Sequence, residues 1–165
     1  MRWLLGILIV LASIVGVAYI AGGRMPAAHT ATATIVVGAP QAAVWQRIGD
    51  VAATRQWRKS VKSVTMLAPK DGNPCWIEDL GRPITVCLTR QLPQKLRIVS
   101  VANANNFFGS WSFLVQPESP TTTRVTITED ATLPSPFFRA GSALVGADWN
   151  QKAYLKDLAN SFPTP

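Results

Sequence analysis

Two stretches in the second half of the chain show the most regular alternation of hydrophobic and polar residues. Residues 107–115 and 124–130 are rich in aromatic and β-branched side chains, and a Pro- and Thr-rich turn joins them. Alternation with a period of two places every second side chain on one face of a strand. The pattern therefore predicts a long antiparallel hairpin with one apolar face. The side chains of that face are Trp111, Phe113, Val115, Val125 and Ile127.

A long helix is predicted to follow this hairpin directly. Ser135 and Pro136 suit the cap and the first position of a helix. Hydrophobic or small residues then recur at steps of three and four, which is typical of a helix that packs one face against a sheet. The stripe consists of Phe137, Gly141, Leu144, Asp148, Gln151, Leu155, Leu158 and Phe162.

Turn residues divide the chain ahead of the hairpin into shorter elements. Pro40 suits the first position of a helix that ends near Asp50 and whose apolar face carries Val44, Trp45 and Ile48. Together with the hairpin, these elements predict an α+β domain in which a long helix crosses the apolar face of a twisted antiparallel sheet. The predicted strands are residues 31–37, 61–67, 75–79, 83–90 and 95–102, a second short helix is residues 51–57, and the Asn-rich residues 102–106 form a turn.

The first two dozen residues have a different composition from the rest. Residues 3–23 contain no charged side chain, and at about 1.5 Å per residue a helix of this length crosses a hydrocarbon core of about 30 Å. We expect a transmembrane helix at residues 3–23, a linker at residues 24–29 and a soluble domain at residues 30–163. A cleaved signal peptide is the alternative, although its apolar region is usually only about 7 to 15 residues long.

Charge gives weaker information about location and partners. The net charge is +7, and Arg55, Arg58, Lys59 and Lys62 form a basic cluster. The cluster is either a solvated face or a contact with anionic lipid headgroups. No nucleic-acid recognition motif accompanies it, so a nucleic-acid partner is not expected.

The few charges that flank the apolar segment set its orientation. Arg2 and the amino terminus lie on one side and Arg24 on the other, and the positive-inside rule then favours an amino terminus in the cytoplasm. The soluble domain would face the periplasm or the cell exterior.

The two cysteines are placed for a disulfide. Cys75 and Cys87 are equidistant from Gly81 in a predicted hairpin, so they face each other at about 4.5 to 5.5 Å between Cβ atoms. Two buried free thiols are the alternative. The only histidine, His29, lies in the predicted linker, and no metal site is expected.

The opposite face of this hairpin carries Trp76 and Glu78, together with Ile84, Val86 and Leu88. If that face is concave, Glu78 points into an apolar space, where desolvation would raise its pKa and suit it to act as an acid, a base or a ligand anchor. The alternative is that Glu78, near a strand end, reaches solvent.

Three polar residues of the predicted long helix are further candidates. Asp148 and Gln151 interrupt the stripe and would contact a ligand head group, with the Tyr154 phenol beside them. Alternatively, Asp148 pairs with Lys152 one turn later and Tyr154 is an ordinary half-buried tyrosine.

Five segments resemble the polyketide cyclase/dehydrase-like branch of the START/Bet v 1 (SRPBCC) superfamily, and the resemblance spans residues 30–162. It implies a helix-grip fold, in which a curved antiparallel sheet wraps around a C-terminal helix and encloses a hydrophobic cavity. It does not imply one chemistry, because members include lipid carriers, quinone-binding proteins and cyclases. The segments are GAPQAAVW at 38–45, DVAATRQW at 50–57, FGSWSF at 108–113, TITED at 126–130 and YLKDL at 154–158.

We therefore expect a membrane-anchored protein that binds a lipid, an isoprenoid quinone or another hydrophobic small molecule. Alternatives are a cyclase or dehydrase that uses Glu78 or Asp148, and a scaffold whose cavity is filled by its own aromatic residues. No Gly-rich phosphate loop or nucleophile motif is present, so neither a cofactor nor a catalytic residue is assigned. The expected ligand-binding residues are Trp57, Trp76, Glu78, Val86, Leu88, Trp111, Phe113, Leu144 and Asp148.

Overall fold

The structure, a computed structural model, describes residues 2–103 and 107–162. Within these ranges an antiparallel sheet of seven strands is combined with five helices. The helices are α1 (Arg2–Arg24), α2 (Gln41–Gly49), α3 (Thr54–Trp57), α4 (Pro136–Val145) and α5 (Trp149–Asn160). The strands are β1 (Ala28–Val37), β2 (Ser63–Lys70), β3 (Asn73–Asp79), β4 (Pro83–Leu92), β5 (Leu96–Asn103), β6 (Phe107–Ser119) and β7 (Thr122–Thr132).

The sheet has the order β1-β7-β6-β5-β4-β3-β2, and its curvature with a C-terminal helix on one face matches the helix-grip fold. The predicted α+β class and helix-grip fold are therefore confirmed. Strands β6 and β7 form the predicted long hairpin, in which Phe113 pairs with Ile127 and Val115 with Val125.

The concave face of the sheet forms the core with α2 and α5. Val125 and Ile127 of β7 are fully buried there. Leu155 and Leu158 of α5 are at most 2% exposed. Helix α5 lies over the β1 edge of the sheet, where the inward side chains include the small Ala31 and Ala33. Small side chains on this strand leave room for the helix to approach the sheet.

The β3–β4 hairpin confirms the predicted register. Its loop needs a left-handed residue at Gly81, where φ is 91°, and glycine adopts this conformation without steric cost. Cys75 pairs with Cys87 across the hairpin, and a disulfide joins them. Trp76 and Glu78 point to the opposite face, toward the concave side of the sheet.

The prediction of one long C-terminal helix is wrong, because the helix is broken into α4 and α5. The break lies at Gly146, where φ is 95°, and a positive φ cannot continue a right-handed helix. The hydrophobic spacing continues through Gly146, so it does not reveal the break, which depends on a backbone angle.

Helix α4 packs against the end of α1 instead of the sheet. Gly22 lets the two helices approach closely, because a Cβ at this position would lie 1.8 Å from the Pro136 carbonyl oxygen. The rings of Tyr19 and Phe137 lie 5.6 Å apart, and Arg139 Nε donates a 2.7 Å hydrogen bond to the Gly22 carbonyl. The same carbonyl also accepts a 3.2 Å hydrogen bond from the Met25 N–H, so Arg139 adds a second donor at the C-terminus of α1.

Several predicted boundaries also shift by two or three residues. Strand β1 begins at Ala28, so His29 belongs to the strand and not to a linker. Helix α3 begins at Thr54 and not at residue 51, and β2 begins at Ser63 and not at residue 61. Residues 104–106 of the predicted Asn-rich turn, and residue 163 at the end of the predicted domain, lie outside the described residues.

Candidate functional site

A cavity of about 740 Å³ lies between the concave face of the sheet and helices α4 and α5. Its volume falls within the range of about 300–1,000 Å³ that is typical of small-molecule pockets. Strands β4 to β6 supply most of its apolar wall. The wall residues of these strands include Ile84, Val86, Val99, Val101, Phe107, Trp111 and Phe113.

Helix α4 closes one end of the cavity without filling it. Phe137, Phe138 and Val145 line that end, but α4 contains no buried residue among those described. Since α4 packs on α1, this end of the cavity lies beside the C-terminal end of the apolar helix α1.

A first polar cluster lies on the wall formed by β3 and α3. The Arg58 guanidinium is 2.5 Å from Glu78 Oε2, and Trp76 Nε1 donates a 3.0 Å hydrogen bond to Glu78 Oε1. All three residues are buried. Glu78 is therefore neither a lone carboxylate in an apolar space nor a group that reaches solvent.

Tyr154 of α5 covers this cluster. The Arg58 guanidinium carbon lies 4.6 Å from the centre of its ring, and the rings of Trp57, Trp111 and Phe113 surround it at 5.2 to 6.0 Å. Burial raises the pKa of Tyr154 well above its ordinary value; the Glu78 charge raises it further, while Arg58 and Arg97 oppose the shift. The phenol therefore keeps its proton and is available as a hydrogen-bond donor.

A second carboxylate, Glu129, lies further along the wall on β7. It is only 3% exposed, its Oε1 is 3.0 Å from His29 Nε2, and Trp111 Nε1 donates a hydrogen bond to its other oxygen. His29 Nδ1 is buried and has no hydrogen-bond partner within the described ranges. A carboxylate thus holds a histidine at the cavity wall, an arrangement that is suited to proton transfer.

Arg97 of β5 is the fourth buried charged residue on the wall, with 8% of its surface exposed. Its guanidinium carbon lies 5.7 Å from the centre of the Trp76 ring, and Nη1 donates a 3.2 Å hydrogen bond to Gln91 Oε1. In residues 2–103 and 107–162, no carboxylate lies within ion-pair distance of it. Burial lowers the pKa of Arg97, and Tyr154 partly offsets this.

Five of the expected ligand-binding residues lie on the cavity wall: Trp76, Glu78, Val86, Trp111 and Phe113. Their contact with a ligand stays a prediction.

The other four lie off the wall. Trp57 packs behind Tyr154, and Leu88 is part of the core beyond the cavity. Leu144 is 87% exposed, because the break at Gly146 turns it away from the sheet. Asp148 pairs with Lys152 at 2.7 Å, as the alternative interpretation expected. Gln151 is fully buried, and neither atom of its amide has a partner within the described residues.

Four wall residues were missed as site residues: His29, Arg58, Arg97 and Glu129. Glu129 lies on the same face of β7 as Val125 and Ile127, and Arg97 lies on the same face of β5 as Val99. Both are therefore charged residues on a buried face. That pattern was available in the sequence. Arg58 was assigned to a surface cluster because of its basic neighbours, and His29 to the linker because β1 was predicted to start too late.

Within the described part of the chain, no group of three or more His, Cys, Asp or Glu side chains is placed to hold a metal ion.

Comparison with known proteins supports the fold and gives the family. A family model described as "Polyketide cyclase / dehydrase and lipid transport" matches residues 28–161. No curated protein is similar enough to count as a match.

Solved structures share the fold at low sequence identity. A START superfamily protein from Mycobacterium smegmatis is 19% identical with a TM-score of 0.62, and the match covers 81% of this chain and 96% of that one. The Zhui aromatase/cyclase from Streptomyces sp. R1128 is 16% identical with a TM-score of 0.68, over 81% of this chain and 93% of its own. A protein from Nitrosospira multiformis is 19% identical with a TM-score of 0.65, over 82% and 97%.

Burial of Tyr154 predicts a loss of stability at alkaline pH. Because its pKa is raised in the folded state, the unfolded chain releases the phenol proton first, and the free energy of unfolding falls as the pH rises above about 10. We expect the melting temperature to decline less steeply above that pH in Tyr154→Phe than in the wild type. The only other tyrosine, Tyr19, provides the control, and equal declines in Tyr154→Phe and Tyr19→Phe would contradict the assignment.

Proposed function

Because the chain belongs to the polyketide cyclase/dehydrase and lipid transport family over residues 28–161, we propose that it is a membrane-anchored protein that binds an apolar small molecule. The ligand is a lipid or an isoprenoid quinone, and it occupies the cavity between the sheet and helices α4 and α5. The observation that supports this most is the 740 Å³ of space along a wall of valine and aromatic side chains. Each methylene buried there would contribute about 0.8 kcal/mol.

Helix α1 supports the anchoring. Within Trp3–Arg24, a window of 18 residues has a mean hydropathy of 2.7 and contains no buried residue, and this is the one helix of its kind among the described residues. Cleavage near Gly23 would remove the Gly22 carbonyl that accepts the hydrogen bond from Arg139. An uncleaved anchor keeps this contact and holds α4 at the membrane.

Exposed apolar residues near the cavity fit the same location. Leu144, Val145 and Trp149 are 87%, 65% and 58% exposed around the α4–α5 break. Aromatic and aliphatic side chains in such positions suit the membrane interface. The residue that was expected to bind ligand, Leu144, would then contact lipid instead.

Two alternative functions can be compared with the structure of the cavity. The open cavity disfavours a scaffold whose cavity is filled by its own aromatics. A cyclase or dehydrase activity remains a second candidate, favoured by the His29–Glu129 pair on the wall, because a histidine held by a carboxylate can accept and return protons. Asp148 has no part in this candidate, since it pairs with Lys152 off the wall.

Filling the cavity should abolish binding. Val99 lies at the middle of the wall and is 4% exposed, so Val99→Phe places a ring in the space of the ligand. We expect photolabelling of the cavity peptides by a fatty alcohol with a chain diazirine to fall about tenfold or more. The measurement uses the full chain in nanodiscs and mass spectrometry of the cross-linked peptides.

The matched control is Thr85→Phe, which adds the same ring at an exposed site on the other face of β4. Melting curves of both variants check the fold, since overpacking costs about 1–3 kcal/mol. Equal labelling in the two variants, or labelling of α1 alone in the wild type, would refute cavity binding.

We also propose that the amino terminus is cytoplasmic and that the domain is extracytoplasmic. The Cys75–Cys87 disulfide supports this, because disulfides persist in oxidising compartments. A phosphatase reporter that requires export should be active when fused after Pro165, while a reporter that requires the cytoplasm should be silent. The reverse result would overturn the orientation.

A further inference from the structure

The cavity wall carries one buried ion pair and one buried cation outside it. Glu78 is ion-paired with Arg58, whereas Glu129 is hydrogen-bonded to His29, which carries a charge only when it is protonated. Arg82 at the cavity edge is exposed and lies over the Phe138 ring, so solvent screens its charge. Arg97 remains as a buried cation without a carboxylate partner among the described residues.

The hydrogen-bonding capacity of Arg97 is also largely unused. A guanidinium has five N–H donors, and the only hydrogen bond from the Arg97 side chain to the described residues is the one from Nη1 to Gln91. A buried charge without a partner is unfavourable. A ligand that brought an acceptor with a negative charge would relieve this cost, whereas a neutral apolar ligand would not.

Arg97 and the apolar wall lie in line along one strand. Arg97, Val99 and Val101 follow each other on the concave face of β5, and the four-residue step from the first to the last spans about 13 Å. The next residue, Ala102, pairs with Phe108, which pairs with Thr132 just before α4. The cavity therefore has the buried cation Arg97 at one end, while the end at α4, beside the membrane helix, is lined by Phe137, Phe138 and Val145 and has only the exposed Arg82 at its edge.

We propose that the ligand is a single-chain amphiphile of the fatty-acid class, whose carboxylate binds Arg97 and whose hydrocarbon chain extends along Val99 and Val101 toward α4. This inference rests on the proposed function and specifies its ligand. The planar fork of arginine matches a carboxylate in a bidentate arrangement.

The position of the cavity beside the membrane helix suits this direction of entry. A fatty acid in a bilayer holds its carboxylate at the interface and its chain in the hydrocarbon core. If it leaves the bilayer head first at the α4 end, the carboxylate reaches Arg97 while the chain remains near α4.

A competition experiment separates the head group from the chain. Dodecanoate and dodecanol share one hydrocarbon chain, and each competes with the neutral diazirine alcohol for the cavity of the full chain in nanodiscs, at equal mole fractions. Because hydrogen bonds to charged groups contribute more than neutral ones, we expect dodecanoate to compete about tenfold to a hundredfold better than dodecanol. Arg97→Gln should bring this ratio close to one, and Arg97→Lys should keep part of it.

The control variant is Arg90→Gln, which removes an exposed arginine of the neighbouring strand β4 and should leave the ratio unchanged. If dodecanoate and dodecanol compete equally in the wild type, the carboxylate site is refuted while cavity binding stands. If the diazirine alcohol labels only α1, the proposed function fails and the carboxylate site fails with it. The wild-type ratio decides even if Arg97→Gln does not fold.

Discussion

The contact between α4 and the end of α1 determines how much of the concave sheet is covered. Pro136 approaches Gly22 so closely that any larger residue at position 22 would collide with it, and Arg139 bonds to the same glycine. Gly146 then allows the chain to turn back toward the sheet as α5. Because α4 is held on α1, the space that a continuous helix would occupy remains open as a cavity, and one of its ends is fixed beside the apolar helix.

Burial of charge is the second constraint, and it bears on function more than on stability. A buried ion pair such as Arg58–Glu78 adds little net stability, because desolvation offsets the attraction. The two wall carboxylates instead fix the shape and polarity of the wall. Glu78 is hydrogen-bonded to Trp76 and Arg58, and Glu129 is hydrogen-bonded to Trp111 and His29. Arg97 lacks such a carboxylate within the described residues, so its environment is completed most simply by a ligand.

Local periodicity predicted the sheet well, since inward and outward positions alternate whatever the distant contacts are. The β6–β7 hairpin and the opposition of Cys75 and Cys87 both follow from spacing. The break at Gly146 depends on a backbone angle that spacing does not report, so Leu144 was placed on the wrong face. The burial of Arg58 could not be predicted, because it depends on a partner distant in sequence, Glu78. The alternation of β5, by contrast, does place Arg97 on the same face as the buried Val99.

The proposed function requires that the open cavity hold a lipid-like molecule drawn from the adjacent membrane. Native mass spectrometry of the full chain, released from nanodiscs that were cut directly from its own membrane, would detect such a molecule. We expect one lipid-sized molecule bound to each chain at activation energies that strip lipids from the surface of α1. A chain that emerges bare under those conditions, with no small molecule recovered from it by extraction, would refute cavity binding.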